Sequence, residues 1–84
     1  MRIVFSKDSK KIIKKQNKLD CKRLIDKCFS LLKNPFPTDS KRIVHPSDKF
    51  YRIRAGKHRI LYKVENELIL IIRIDKRSKI YDKL

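Results

Sequence analysis

Basic side chains at alternating positions of the C-terminal half are the residues best suited to chemistry in this sequence. Strand side chains alternate between the two faces of a sheet, so five of these residues are expected on one face: Arg52, Arg54, Arg59, Lys63 and Arg73. Guanidinium groups meet phosphate oxygens with paired hydrogen bonds, which predicts a phosphate-binding surface. Arginines that simply stand in water on an open sheet face are the alternative interpretation.

Apolar residues are interspersed with these cations. The same alternation places Leu61, Ile69 and Ile71 on the basic face, while the opposite face is wholly apolar and suits packing against helices. An exposed apolar patch of this kind usually marks an interaction site. Leu61, Ile69 and Ile71 are therefore predicted to bind a partner protein.

The charge balance points to a polyanionic partner. The chain has 84 residues, with 24 Lys and Arg against nine Asp and Glu, for a net charge of +15. Such an excess favours nucleic acid, an acidic protein, or both in turn. A solvated Lys-rich surface is the alternative, but such surfaces usually pair Lys with Glu, and this sequence has two Glu.

The cysteines and the lengths of the apolar runs argue against a disulfide-bonded, metal-binding or membrane protein. Cys21 and Cys28 lie seven residues apart on a predicted helix, about 10 Å along its axis, which is too far for a disulfide. They are expected to be small buried hydrophobic residues in a reducing compartment. We expect no metal and no cofactor, because the acids do not cluster on the basic face. The sequence has no run of transmembrane length and no signal-peptide core, so a cytoplasmic location without membrane contact is expected.

Two helices are predicted in the N-terminal half. The first begins after a Ser6 cap and runs to about Lys18, and the second begins at an Asp20 cap and ends at Asn34-Pro35. Lys10, Lys14 and Lys18 recur every fourth residue. Their side chains could contact phosphate, with a plain solvated face as the alternative.

The remaining pattern completes an α+β domain that spans residues 1–84. A short strand at residues 2–5 precedes the helical hairpin, residues 34–49 form a connector, and residues 50–74 form a three-stranded antiparallel meander. We predict one curved sheet with both helices on one face.

The sequence also resembles a known family. Residues 50–62, FYRIRAGKHRILY, resemble the signature strand pair of the RelE/ParE toxin superfamily: a basic-apolar-basic strand, a Gly turn, then an apolar strand ending in Tyr. Residues 74–81, IDKRSKIY, resemble its closing segment. The order of elements matches over essentially the whole chain.

The resemblance implies the toxin of a type II toxin–antitoxin system. Ribonuclease members cut messenger RNA in the ribosomal A site by attack of a 2′-hydroxyl on the adjacent phosphate, without a metal. The implied catalytic residues are Arg52, Arg54, Arg59, Arg77 and Tyr81. Arg59 would contact the scissile phosphate, Arg77 would stabilise charge, and Tyr81 would orient or deprotonate the nucleophile. The implied partners are an acidic RelB-like antitoxin, in a hetero-oligomer with the toxin, and messenger and ribosomal RNA. With such a partner, contact with RNA or the ribosome is predicted for Lys10, Lys14, Lys18, Lys63 and Arg73.

Departures from the family pattern leave some of these points open. Asp75 and Lys76 stand where the family usually has Gly and His, and His58 replaces a common aromatic residue. Arginine cannot accept a proton, so Tyr81 is the expected base and His58 the alternative. Two other functions also remain: a ParE-like toxin that inhibits DNA gyrase, and a non-catalytic RNA-binding module. Arg77 together with Tyr81 favours the nuclease.

Overall fold

A five-stranded mixed sheet carries two helices on one face in the computed structural model, which describes residues 1–76. The strands lie in the order β1-β5-β4-β3-β2, with β1 parallel to β5 and every other pair antiparallel. The α+β prediction is confirmed. The elements are β1 (Arg2–Phe5), α1 (Lys7–Lys15), α2 (Lys18–Ser30), β2 (Lys41–Ile43), β3 (Phe50–Ala55), β4 (His58–Glu65) and β5 (Leu68–Lys76).

The helix boundaries differ from the prediction at one point. The Ser6 cap is confirmed, since its side chain accepts a hydrogen bond from the backbone N of Ser9 at 3.1 Å. However, α1 ends at Lys15, and α2 is capped by Asn17, whose Oδ1 accepts from the backbone N of Asp20 at 2.8 Å. The predicted Asp20 cap is wrong because Asn17 is an equally good capping residue and lies one turn earlier. Lys18 therefore begins α2 and does not share a helical face with Lys10 and Lys14.

The predicted connector contains a strand. Residues 41–43 form β2, which pairs with β3 and makes β2 the edge strand of the sheet. The prediction of an irregular connector over residues 34–49 is therefore wrong for residues 41–43. Two contacts hold this region against the rest of the fold. The Tyr62 hydroxyl donates to the Pro35 carbonyl oxygen at 2.7 Å, and the Lys27 ammonium pairs with Asp39 at 2.7 Å. The ammonium also lowers the pKa of the Asp39 carboxyl.

A β-bulge decides which face each residue of β5 occupies. Leu61 lies opposite Arg73 and Tyr62 lies opposite Ile71, so Ile72 is the extra residue. Since a bulge shifts the alternation by one, Ile71 and Ile74 both pack against the helices although they lie three residues apart. The main core comprises Ile13, Leu24, Cys28, Leu31, Ile53, Ile60, Tyr62, Ile69, Ile71 and Ile74.

The predicted apolar patch is wrong for this reason. Ile69 and Ile71 are buried under the helices at 0% and 1% exposure. Leu61 does lie on the opposite face, but it is fully buried in a small second cluster with Phe50, flanked by Ile43 and Ile72. None of the three predicted side chains is available for direct contact with a partner.

The cysteines match the expectation only in part. Both are free; Cys28 is buried in the core and Cys21 is half-buried at its margin. Burial raises the pKa of the Cys28 thiol to about 12, so it stays protonated at neutral pH. A protonated, buried thiol is chemically inert.

The contact between Tyr62 and Pro35 can be tested by removing one atom. We expect Tyr62→Phe to lower the free energy of unfolding by about 1 kcal/mol, because the partly buried carbonyl of Pro35 loses its hydrogen-bond donor. Urea unfolding at neutral pH measures the change. Tyr51→Phe is the matched control, since among the described residues its hydroxyl makes no hydrogen bond, and it should change stability by less than about 0.5 kcal/mol. Equal losses in the two variants would contradict the assigned role.

Candidate functional site

The β3–β4 hairpin places three arginines on the sheet face opposite the helices, here named the open face. Ile53 and Ile60 are paired across the two strands and are fully buried on the helix side. Their neighbours in sequence must point the other way, so Arg54 faces outward directly opposite Arg59, and Arg52 lies opposite Leu61. The predicted grouping of these arginines on one face agrees with this register.

The hairpin turn shapes one end of this face. Gly56 has φ of 61°, in the left-handed region that favours glycine, and it connects the strands within a two-residue turn. A cleft of about 320 Å³, here named the arginine cleft, opens beside the turn. It is lined by Arg54, Gly56, Lys57, His58, Arg59 and Lys76.

The arginine cleft is strongly positive. Four of its lining side chains are cationic, and among residues 1–76 no carboxylate forms an ion pair with Arg54, Lys57 or Lys76. Asp75 lies opposite Arg59 in the sheet, and its Oδ1 accepts from the backbone N of Lys76 at 2.8 Å. Cations held together in this way repel one another, so the arrangement is favourable when an anion such as phosphate is bound.

Two residues predicted to bind RNA are engaged in ion pairs instead. The Lys63 ammonium lies 2.8 Å from Asp48 and 2.7 Å from Glu65, and both contacts raise the pKa of Lys63. Arg73 lies 3.3 Å from Asp8 in the first turn of α1. A phosphate would have to compete with these carboxylates, so RNA contact by Lys63 and Arg73 stays a prediction. Lys10, Lys14 and Lys18 are exposed, which leaves their predicted role open.

Part of the arginine cleft is predictable from the sequence, namely Arg54 and Arg59. Arg77 and Tyr81 lie outside the described residues, and their catalytic roles stay predictions. Lys57 was not among the predicted site residues. Its position in the hairpin turn beside Gly56 could have indicated that it lies close to the arginines of both strands. Lys76 was noted only as a departure from the family pattern. His58 was expected on the helix side; it is 5% exposed and still contributes to the cleft lining at the strand end.

Residues 1–76 contain neither a group of metal-ligating side chains nor a helix suited to crossing a membrane. Within residues 1–76, no three His, Cys, Asp or Glu side chains are grouped so that they could hold a metal ion. No helix in that range combines the length and apolar character needed to cross a membrane.

The family of this chain follows from its sequence as a whole. Residues 4–81 match the family model described as "ParE toxin of type II toxin-antitoxin system, parDE". That match covers most of the chain. The chain belongs to the RelE/ParE superfamily and is a toxin of the type II toxin–antitoxin class. No curated protein sequence matches it significantly.

Solved structures of RelE proteins are similar to this chain over nearly its full length. The RelB–RelE complex from Methanococcus jannaschii is 26% identical, with a TM-score of 0.72 and coverage of 96% of this chain and 98% of that one. The archaeal RelE–RelB complex from Pyrococcus horikoshii OT3 is 24% identical, with a TM-score of 0.80 and coverage of 93% and 96%. The isolated E. coli RelE toxin is 22% identical, with a TM-score of 0.68 and coverage of 96% and 90%.

The positive charge of the arginine cleft, where Arg54, Lys57 and Lys76 have no ion pair within residues 1–76, predicts stabilisation by a simple anion. Inorganic phosphate should raise the unfolding free energy, by about 1.4 kcal/mol at ten times its dissociation constant, because it binds only the folded cleft. Arg54→Ala and Arg59→Ala should each remove most of this effect, measured by urea unfolding with and without phosphate at constant ionic strength. Arg2→Ala, on the far edge strand β1, is the matched control and should keep it. Equal phosphate effects in all variants would rule out this cleft as the anion site.

Proposed function

We propose that this toxin is a ribosome-dependent endoribonuclease that cuts messenger RNA without a metal. The observation that carries the proposal is the arginine cleft, in which Arg54 and Arg59 face each other beside Lys57 and Lys76. A fixed set of guanidinium and ammonium donors is suited to a phosphate whose negative charge increases during the reaction. The proposal also rests on the similarity to RelE proteins.

The reaction uses groups of the RNA and of the toxin. The 2′-oxygen attacks the adjacent phosphorus while its proton leaves to a base, and a pentacoordinate phosphorane forms. The bond from phosphorus to the 5′-oxygen then breaks, and this oxygen takes up a proton. The products are a 2′,3′-cyclic phosphate and a 5′-hydroxyl. Arg54 and Arg59 would stabilise the equatorial oxygens, and Tyr81 is the proposed base, with His58 as the alternative that lines the same cleft.

Replacement of Arg59 gives the sharpest test of catalysis. Arg59→Ala should lower the single-turnover cleavage rate on programmed ribosomes by roughly 100–1000-fold, because one transition-state donor is lost. Arg2→Ala should cleave like the wild type. Primer extension measures the rate and analysis of the ends identifies the products. Near-normal cleavage by Arg59→Ala would contradict the transfer of the family mechanism to this residue.

The same assay separates the alternatives. We expect cleavage to persist when free metal is chelated, provided that ribosome integrity is controlled, and a 5′-phosphate product would overturn the chemistry. Inhibition of gyrase supercoiling without RNA cleavage would identify a gyrase inhibitor. Ribosome binding without either activity would identify a binding module.

An antitoxin partner is the second part of the proposal. With the predicted patch at Leu61, Ile69 and Ile71 buried, another surface must be used. An apolar groove of about 210 Å³ lies between β1 and the helices, formed by Phe5, Ile13, Ile25 and Phe29, with Lys10 and Lys14 at its margin. The Phe29 side chain is 46% exposed and its ring lies 6.0 Å from that of Phe5. We propose that an acidic, amphipathic antitoxin segment covers this groove, its apolar residues inside and its carboxylates on the lysines.

Two exposed apolar residues of α2 give a matched test of the groove. Phe29→Ala should weaken binding of the cognate antitoxin at least tenfold, since truncation of a central aromatic anchor typically costs more than 1.4 kcal/mol. Leu19→Ala removes a side chain that is 59% exposed but lies outside the groove, and it should bind normally. Isothermal titration calorimetry measures both. If Leu19→Ala and Phe29→Ala bind equally, the antitoxin lies elsewhere.

A further inference from the structure

A second cleft, at the connector end of β4, is not used by the proposed reaction. It lies between the connector and β4, has a volume of about 380 Å³ and is here named the connector cleft. Its polar lining includes Arg42, His45, Asp48, Lys49, Lys63 and Glu65. Lys63 and Arg59 belong to the same face of β4 and are four residues apart, about 13 Å along the strand. An RNA strand that follows β4 from the arginine cleft would therefore meet the connector cleft within a few nucleotides.

Lys63 organises the polar groups of the connector cleft. Its side chain is 17% exposed, and its ammonium contacts Oδ1 of Asp48 at 2.8 Å and Oε1 of Glu65 at 2.7 Å. These contacts hold both carboxylates in place, and they use one oxygen of each. The second oxygen of each carboxylate retains lone pairs for a further donor.

A ring and two cations complete the lining. The His45 ring lies edge-on to Phe50, with 5.2 Å between ring centroids, and its Nδ1 accepts from the backbone N of Ser47 at 3.3 Å. Its orientation is therefore set by the connector, and its surface is partly exposed. Arg42 and Lys49 are exposed at the rim, where they can meet phosphates. Ring surfaces stack on nucleobases, and carboxylates accept hydrogen bonds from exocyclic amino groups.

We propose that the connector cleft binds a nucleobase of the messenger that carries an exocyclic amino group, and that it disfavours uracil. The amino group of cytosine would donate to the free oxygen of Glu65 or Asp48, with the base against His45. Uracil presents a carbonyl oxygen at the same position, which a carboxylate repels. This inference rests on the proposed RNA-directed function and assigns the cleft a role in sequence preference.

Cytidine and uridine 5′-monophosphates are a matched pair of probes, because their bases differ only in the amino or carbonyl group at position 4 and in the proton that uracil carries on the adjacent N3. We expect the purified toxin to bind the cytidine nucleotide at least fivefold more tightly in NMR titrations, with chemical-shift changes at His45 and Glu65. Any binding of the phosphate in the arginine cleft is common to both probes. Glu65→Gln and Asp48→Asn should each reduce the preference toward unity. His45→Ala, which leaves the Lys63 ion pairs intact, should weaken both nucleotides alike.

Glu67→Gln is the matched control. It removes the same charge two residues away, outside the cleft, and should keep the preference of the wild type. Equal affinities for the two nucleotides in the wild type, or a preference that persists in Glu65→Gln and Asp48→Asn, would overturn the inference. The readout does not depend on cleavage. A cytidine preference in a toxin that fails to cut messenger RNA would uphold the cleft and refute the proposed reaction.

Discussion

Burial of Ile53 and Ile60, paired across the β3–β4 hairpin, is the constraint on which the functional face depends. Both side chains are held under the helices, and adjacent strand residues must then point to the other face. Arg54 and Arg59 are brought opposite each other by that register alone. A slip of one residue would exchange the core side chains for the arginines, at a cost that no anion could offset.

The cations of the open face fall into two groups, which differ in whether a carboxylate pairs with them. At its periphery Lys63 pairs with Asp48 of the connector and with Glu65 of β4 itself, and Arg73 pairs with Asp8 of α1. The pairs with Asp48 and Asp8 join parts of the fold that are distant in sequence. In the arginine cleft, Arg54, Lys57 and Lys76 have no such carboxylate within residues 1–76. The ion pairs of Lys63 and Arg73 stabilise the folded domain. The cations of the arginine cleft repel one another, and a bound phosphate would reduce that repulsion.

The bulge at Ile72 has consequences on both faces. It turns Ile71 and Ile74 inward together, which closes the core beneath the helices, and leaves Ile72 with Leu61 and Phe50 in a small cluster on the open face. Leu61 lies between Arg59 of the arginine cleft and Lys63 of the connector cleft on β4, so this apolar cluster separates the two clefts. The exposed apolar surface suited to a protein partner lies on the other side, beside α1 and α2, where Phe29 is half-exposed next to two lysines. RNA and antitoxin would thus meet different surfaces of the same domain.

The sequence by itself determined the α+β class, the helical hairpin, the meander and the grouping of Arg52, Arg54 and Arg59, because β3 alternates clearly between basic and apolar residues. It could not determine the register of β5, where residues 68–72 are all Leu or Ile and either alternation places apolar side chains on both faces. Only the tertiary structure decided that Ile69 and Ile71 face the helices. It also decided that Lys57, His58 and Lys76 join the arginines and that Lys63 is held by Asp48 and Glu65. The arginine cleft and the Lys63 ion pairs bring together strand ends, turns and the connector. Because local sequence patterns do not report which distant segments come close in space, these contacts could not be predicted.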